Sequence, residues 1–132
     1  MLDCILMLRS IKTDNKNKLK SIYWLYILQL EDDCFYIGIT SRVNPYTRIR
    51  EHQEGRGATW TKKHTPIKTI SLEKLGYLSE IAAKTIEQNV TKEYMKRYSY
   101  NKVRGGEYTY SGNYVKFHDK YFQTNVLNSH WV

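Results

Sequence analysis

The fold is decided by Ile22-Tyr23-Trp24-Leu25-Tyr26-Ile27-Leu28-Gln29-Leu30, then Glu31-Asp32-Asp33, then Cys34-Phe35-Tyr36-Ile37-Gly38-Ile39-Thr40. β-branched, aromatic and aliphatic side chains dominate both flanks, and such residues suit a pleated, half-buried surface. The acidic triplet between them reads as a turn, so the stretch predicts a hairpin. Tyr26 and Tyr36 both stand at even positions. Side chains alternate along a strand, so any register that pairs even with even puts both phenols on one face. Two phenols on a sheet face are ordinarily packing or rim residues, and the chain has 12 tyrosines. The pair gains meaning only from its surroundings.

Outward from the hairpin, Asn44-Pro45 supplies a helix N-cap and a first helical residue. The helix should run through Tyr46, Arg48, Ile49 and His52 and stop near Gly55. Gly55 to Thr61 reads as a loop, with Lys62-Lys63-His64 adding charge at its end. After Pro66, the partly alternating run from Ile67 to Leu72 predicts a third strand. Ser79 reads as the N-cap of the longest helix, to about Arg97, with Leu78, Ala82, Ile86 and Val90 as its apolar stripe. Gly105-Gly106 breaks the chain. The order of elements indicates an α+β fold, a small antiparallel three-stranded sheet flanked by helices. Residues 1–20, with Lys12, Lys16, Lys18 and Lys20, read as a flexible basic arm, and residues 21–106 as the domain. Residues 107–132 form an aromatic C-terminal extension, from Tyr108 to Trp131, packed on the domain or continuing it. There is no internal repeat.

The chain's 132 residues suffice for one domain with one core. Cys4 and Cys34 are too few for a disulfide framework and read as reduced packing residues. No apolar run approaches the ~20 residues that cross a bilayer. The apolar start has no basic residue ahead of it and does not read as a signal peptide. The expectation is a soluble, intracellular protein of cytoplasm or nucleus that does not engage a membrane. A net charge of +8 favours polyanions, because each neutralised phosphate releases counterions. Charge alone does not separate DNA from RNA or an anionic membrane, and it also serves solubility. His52, His64, His118 and His130 lack zinc-ligand spacing. No Gly-Lys-Ser/Thr phosphate loop is present, so no nucleotide cofactor is expected.

Arg48 and His52 are four apart and share a helix face. Arginine clamps phosphate and histidine handles a proton near neutral pH, although such a pair is more often a solvated surface. Glu87, at the edge of the apolar stripe, could hold a hard cation such as Mg²⁺. Glu80 lies on the same edge; periodicity does not choose between them, and a surface ion pair is the ordinary role of each. Arg56, Lys62 and Lys63 beside Gly55 and Gly57 could meet a phosphate strand, or simply belong to a flexible turn. Asn101 to Gly106, with Arg104, offers the same choice.

Placed in order, these residues resemble the GIY-YIG nuclease superfamily, in particular its compact single-domain branch. Tyr36-Ile37-Gly38 is the second signature triplet. Trp24-Leu25-Tyr26 occupies the first and matches at its tyrosine, ten residues before Tyr36. Arg48-Ile49-Arg50-Glu51-His52, Gly55-Arg56-Gly57-Ala58 and Glu87 follow in the family's order, over roughly Ile22 to Arg97. The resemblance implies metal-assisted hydrolysis of a DNA phosphodiester. By position, Tyr26 would accept the proton of the attacking water and Tyr36 would position water or phosphate. Arg48 would stabilise the scissile phosphate. His52 would orient a tyrosine or assist proton transfer. Glu87 would bind Mg²⁺, with Mn²⁺ as a possible substitute, and Asn101 would back the site. Apart from the resemblance, the charges of Arg56, Lys62, Lys63 and Arg104 make them the expected DNA contacts. The alternatives are a DNA-binding module that keeps the fold without cutting, and a protein-interaction domain using the aromatic tail. Retention of all five central side chains favours the endonuclease.

Overall fold

A computed structural model describes residues 19–109. The basic arm up to residue 18 and the extension beyond residue 109 lie outside the described residues. Strands β1 (Lys20–Leu30) and β2 (Cys34–Thr40) form the expected hairpin around a single 3-10 turn, Glu31–Asp33. Asp32 and Asp33 take positive φ (62° and 58°), which aspartate tolerates better than most residues. Tyr26 pairs with Gly38 and Leu28 with Tyr36, so even positions do meet even positions.

Helix α1 (Pro45–Gln53) begins as its sequence dictates: the Asn44 side chain accepts the Tyr46 N–H at 3.0 Å, with Pro45 in the first turn. The stretch read as a loop contains a short helix, α2 (Thr59–Lys63). Five residues are too few to carry a helical period. What holds α2 is tertiary: Trp60 and Thr61 are buried, and the Trp60 indole N–H donates to the Phe35 carbonyl at 3.1 Å. Strand β3 (Pro66–Ser79) continues well past the expected Leu72 and pairs with β1 throughout, with three register shifts. It forms a sheet edge, where charged residues such as Glu73 and Lys74 are well suited. Helix α3 (Glu80–Tyr98) starts at Ser79, whose hydroxyl accepts the Ala82 N–H at 3.1 Å.

The sheet corrects the expectation of three antiparallel strands. It has four, in the order β3-β1-β2-β4. Strand β4 (Val103–Gly105) pairs with β2 in parallel, so the sheet is mixed. Three residues ending in glycine read as a chain break because only pairing with β2 makes them a strand.

The central strands are covered on both faces. Leu25, Ile27, Phe35 and Ile37 pack with Ala83, Ile86, Val90 and Met95 of α3. Tyr26, Leu28, Leu30 and Cys34 pack with Ile49 of α1 and Trp60 of α2. Each large apolar side chain so buried contributes roughly 1.5–3 kcal/mol. Tyr108 is 3% exposed and joins the α3-side core. No helix among the described residues is long and apolar enough to cross a membrane.

Candidate active site

Strand alternation sets Tyr26 and Tyr36 on the face covered by α1, with ring centroids 6.4 Å apart. Gly38 lies opposite Tyr26, and a Cβ there would collide with the Tyr26 hydroxyl. The signature glycine is therefore the space into which the tyrosine hydroxyl fits. Helix α1 delivers Arg48 and His52 to the same face. The fully buried His52 brings Nε2 to 2.7 Å from the Tyr26 hydroxyl oxygen, and its ring lies 4.9 Å from that of Tyr36. Its other nitrogen, Nδ1, accepts the Ala58 N–H at 3.2 Å and lies 3.0 Å from the Thr61 hydroxyl oxygen. A Cβ on Gly57 would strike the imidazole.

Burial sets the proton affinities. It pushes the Tyr26 phenol well above its ordinary value, and Tyr36 and Glu87 add to this, while the charge of Arg48 and its hydrogen bond pull the other way. Tyr36 is pushed up to about 12, by burial and then Glu87, with Arg48 opposing. His52 is brought down to about 4, by burial and then by Arg48, so it is neutral at pH 7. Burial also opposes the charge of Arg48, but the Glu51 hydrogen bond and the two tyrosines outweigh it. Arg48 Nη1 donates to Glu51 at 2.8 Å, and Arg42 holds the other Glu51 oxygen at 2.5 Å. These two arginines, Arg42 first, keep the Glu51 carboxyl at about 2.

The two candidate carboxylates of α3 differ in their surroundings. Glu80 is exposed and pairs with Lys84 at 3.2 Å. Glu87 is half-buried and accepts the Ile39 backbone N–H. Burial pushes it up to about 7, against that hydrogen bond and Lys84. Both tyrosines feel the Glu87 charge. No group of three or more His, Cys, Asp or Glu side chains gathers among the described residues. A single carboxylate still fits Mg²⁺, which keeps several waters and often takes one or two carboxylates. The raised Glu87 value marks a negative charge short of compensation, the environment a divalent cation would relieve.

Asn101 lies in the turn after α3, just before β4 pairs with Phe35 to Ile37, and its backbone N–H donates to the Ser99 hydroxyl at 3.2 Å. Arg56 is exposed and paired with Glu54. Lys62 and Lys63 are exposed at the end of α2, with the Lys63 ammonium 5.9 Å from the Trp60 ring centre. Arg104 requires correction as a DNA contact: it has no exposed surface. Its guanidinium lies 4.3 Å from the Trp60 ring centre and donates to the carbonyls of Tyr100 at 2.5 Å and Val103 at 2.8 Å. A phosphate has no path to it.

Sequence reasoning gave no role to Glu51, Ala58 or Thr61. Only Glu51 left a local signal, three residues after Arg48 on one helix face. Ala58 and Thr61 meet His52 through the tertiary fold alone.

Residues 22–101, more than half the chain, match the model of the GIY-YIG catalytic domain. A UPF0213 protein of Enterococcus faecalis is 31% identical over 86 residues, 60% of this chain and 96% of the relative. Another, of Syntrophus aciditrophicus, is 39% identical over 44% of this chain and 66% of the relative. A third, of Haloquadratum walsbyi, is 35% identical over 39% of this chain and 55% of the relative. The chain thus spans from about half to two thirds of these last two relatives. No solved structure matches it. Tyr26, Gly38, Arg48, His52 and Glu87 lie within the matched segment, and the chain belongs to the GIY-YIG family, a family of nucleases.

Proposed function

We propose that this protein is a metal-dependent DNA endonuclease that hydrolyses phosphodiester bonds. The observation that carries the reading is the grouping of Tyr26, Tyr36 and His52 with the charges of Arg48 and Glu87. Arg48 keeps guanidinium donors beyond the one given to Glu51, and these clamp the scissile phosphate as its charge grows. Tyr26, as phenolate, takes a proton from the attacking water. Burial alone disfavours that phenolate, so the role needs positive charge nearby, from Arg48 and a cation. Tyr36 positions water or phosphate. Glu87 holds one divalent ion, Mg²⁺ with Mn²⁺ as substitute. Such an ion supplies charge neutralisation at the leaving oxygen. Arg56, Lys62 and Lys63 bind the DNA backbone. Asn101, in the turn between α3 and the strand that pairs with β2, backs the site.

One observation favours a second reading, a DNA-binding module that does not cut: burial holds Tyr26 in its protonated form. A cleavage assay with Mg²⁺ or Mn²⁺ on supercoiled, linear and branched DNA separates the two, with Glu87→Ala alongside. Metal-dependent cutting that disappears in the variant, with DNA binding retained, is the expected result. Undiminished cutting by Glu87→Ala would remove the metal assignment. Salt-sensitive binding by the wild-type protein without cleavage on any DNA would establish the module instead.

A further inference from the structure

His52 could serve Tyr26 in two opposite ways, accepting its proton or donating a hydrogen bond to its oxygen. We infer that Ala58 and Thr61, with the space left by Gly57, fix His52 as the donor, and that Thr61 is a positioning residue for the tyrosine. The inference rests on the nuclease reading above for its link to catalysis.

The argument starts at the Ala58 backbone N–H, which points at His52 Nδ1 over 3.2 Å. A backbone N–H can only donate, so Nδ1 must present its lone pair. A neutral imidazole carries one hydrogen, and it therefore sits on Nε2. Nε2 is the nitrogen 2.7 Å from the Tyr26 oxygen. The hydrogen in that contact belongs to His52. The Tyr26 oxygen accepts it, and the phenol's own hydrogen must point elsewhere. A ring already protonated at Nε2 has no lone pair there to receive the Tyr26 proton, so His52 steadies the tyrosine oxygen and does not deprotonate it.

Thr61 holds this arrangement from behind. Its single hydroxyl hydrogen is shared between the Ala58 carbonyl at 2.8 Å and Nδ1 at 3.0 Å, so it braces the Ala58 peptide and adds a second donor to the lone pair on Nδ1. Thr61 is 2% exposed, so water does not readily replace it. Gly57 completes the cradle, since any Cβ there would occupy the imidazole's place.

Nitrogen-15 NMR of the wild-type protein, free of DNA and metal, reads the tautomer directly. A protonated-type shift at His52 Nε2 with a lone-pair-type shift at Nδ1 is expected; the reverse assignment would overturn the inference. Thr61→Val keeps the shape and removes the hydroxyl. It should mix the two tautomers and lower kcat by about tenfold or more, with KM little changed, as loss of an orienting partner does. Thr61→Ser should restore both signals. An unmixed spectrum and a wild-type kcat in Thr61→Val would exclude Thr61 from the role. A protein that cuts no DNA would defeat the nuclease reading, while the spectrum would still decide the tautomer.

Discussion

Arg48 is held by Glu51 on one side and faces the tyrosines on the other. As the phosphate clamp it should be sensitive to shape as well as charge. Arg48→Ala is expected to slow cleavage by about 10²–10³-fold, the usual cost of an electrostatic stabiliser. Arg48→Lys should recover little, because an ammonium lacks the planar fork. Single-turnover rates would check both, and near wild-type rates in either would rule out the clamp. Much of this group was legible in the sequence. Even parity set Tyr26 and Tyr36 on one face, and a four-residue spacing aligned Arg48 with His52. Glu87 was separated from Glu80 by the family pattern and by burial, since helical periodicity gives them the same edge. Thr61 was illegible because its partner lies nine residues away across a turn that sequence periodicity does not describe.

At the level of elements, α1 carries two site residues on one short helix whose start depends on Asn44. Asn44→Ala should cost about 1 kcal/mol of stability by leaving a first-turn N–H without its cap. Chemical denaturation would measure that loss. A change below a few tenths of a kcal/mol would show that the cap contributes little. Elements with strong local signals were readable: the hairpin, α1, and α3 with its Ser79 cap. Those made by tertiary contact were not. Helix α2 depends on buried Trp60, β4 on pairing with β2, and the far half of β3 on pairing with β1.

Across the whole molecule, two buried groups pull acid stability in opposite directions. His52 has a folded value near 4, below its ordinary 6.5, so the folded state resists a proton that the unfolded chain accepts. Its contribution is present above pH 6.5 and is lost as pH falls toward 4. Glu87 is raised to about 7 from 4.5, so its contribution is full below 4.5 and is lost as pH rises through 7. Between pH 5 and 6.5 the two slopes should largely cancel. Glu87→Gln leaves His52 alone, and its stability should rise with pH across that window more steeply than wild type. Parallel urea melts would test this, and equal slopes would contradict the burial of Glu87. Arg104 is a second molecule-wide case. Arg104→Ala should cost about 3 kcal/mol by emptying a packed site and removing buried hydrogen bonds. The salt dependence of DNA binding should not change, and a shallower slope in a folded variant would restore Arg104 as a phosphate contact.

The buried Arg104 also ties assembly to the order of synthesis. It belongs to the last described strand, yet its guanidinium rests on Trp60, the neighbour of Thr61 on α2. Glu87, too, comes from a helix made after the hairpin and α1. A chain still leaving the ribosome therefore exposes its tyrosines long before it has the carboxylate, the braced histidine and the strand that locks α2 in place. On the proposed activity, a chain that stops before Gly105 should lack the strand that steadies α2 and cut DNA poorly.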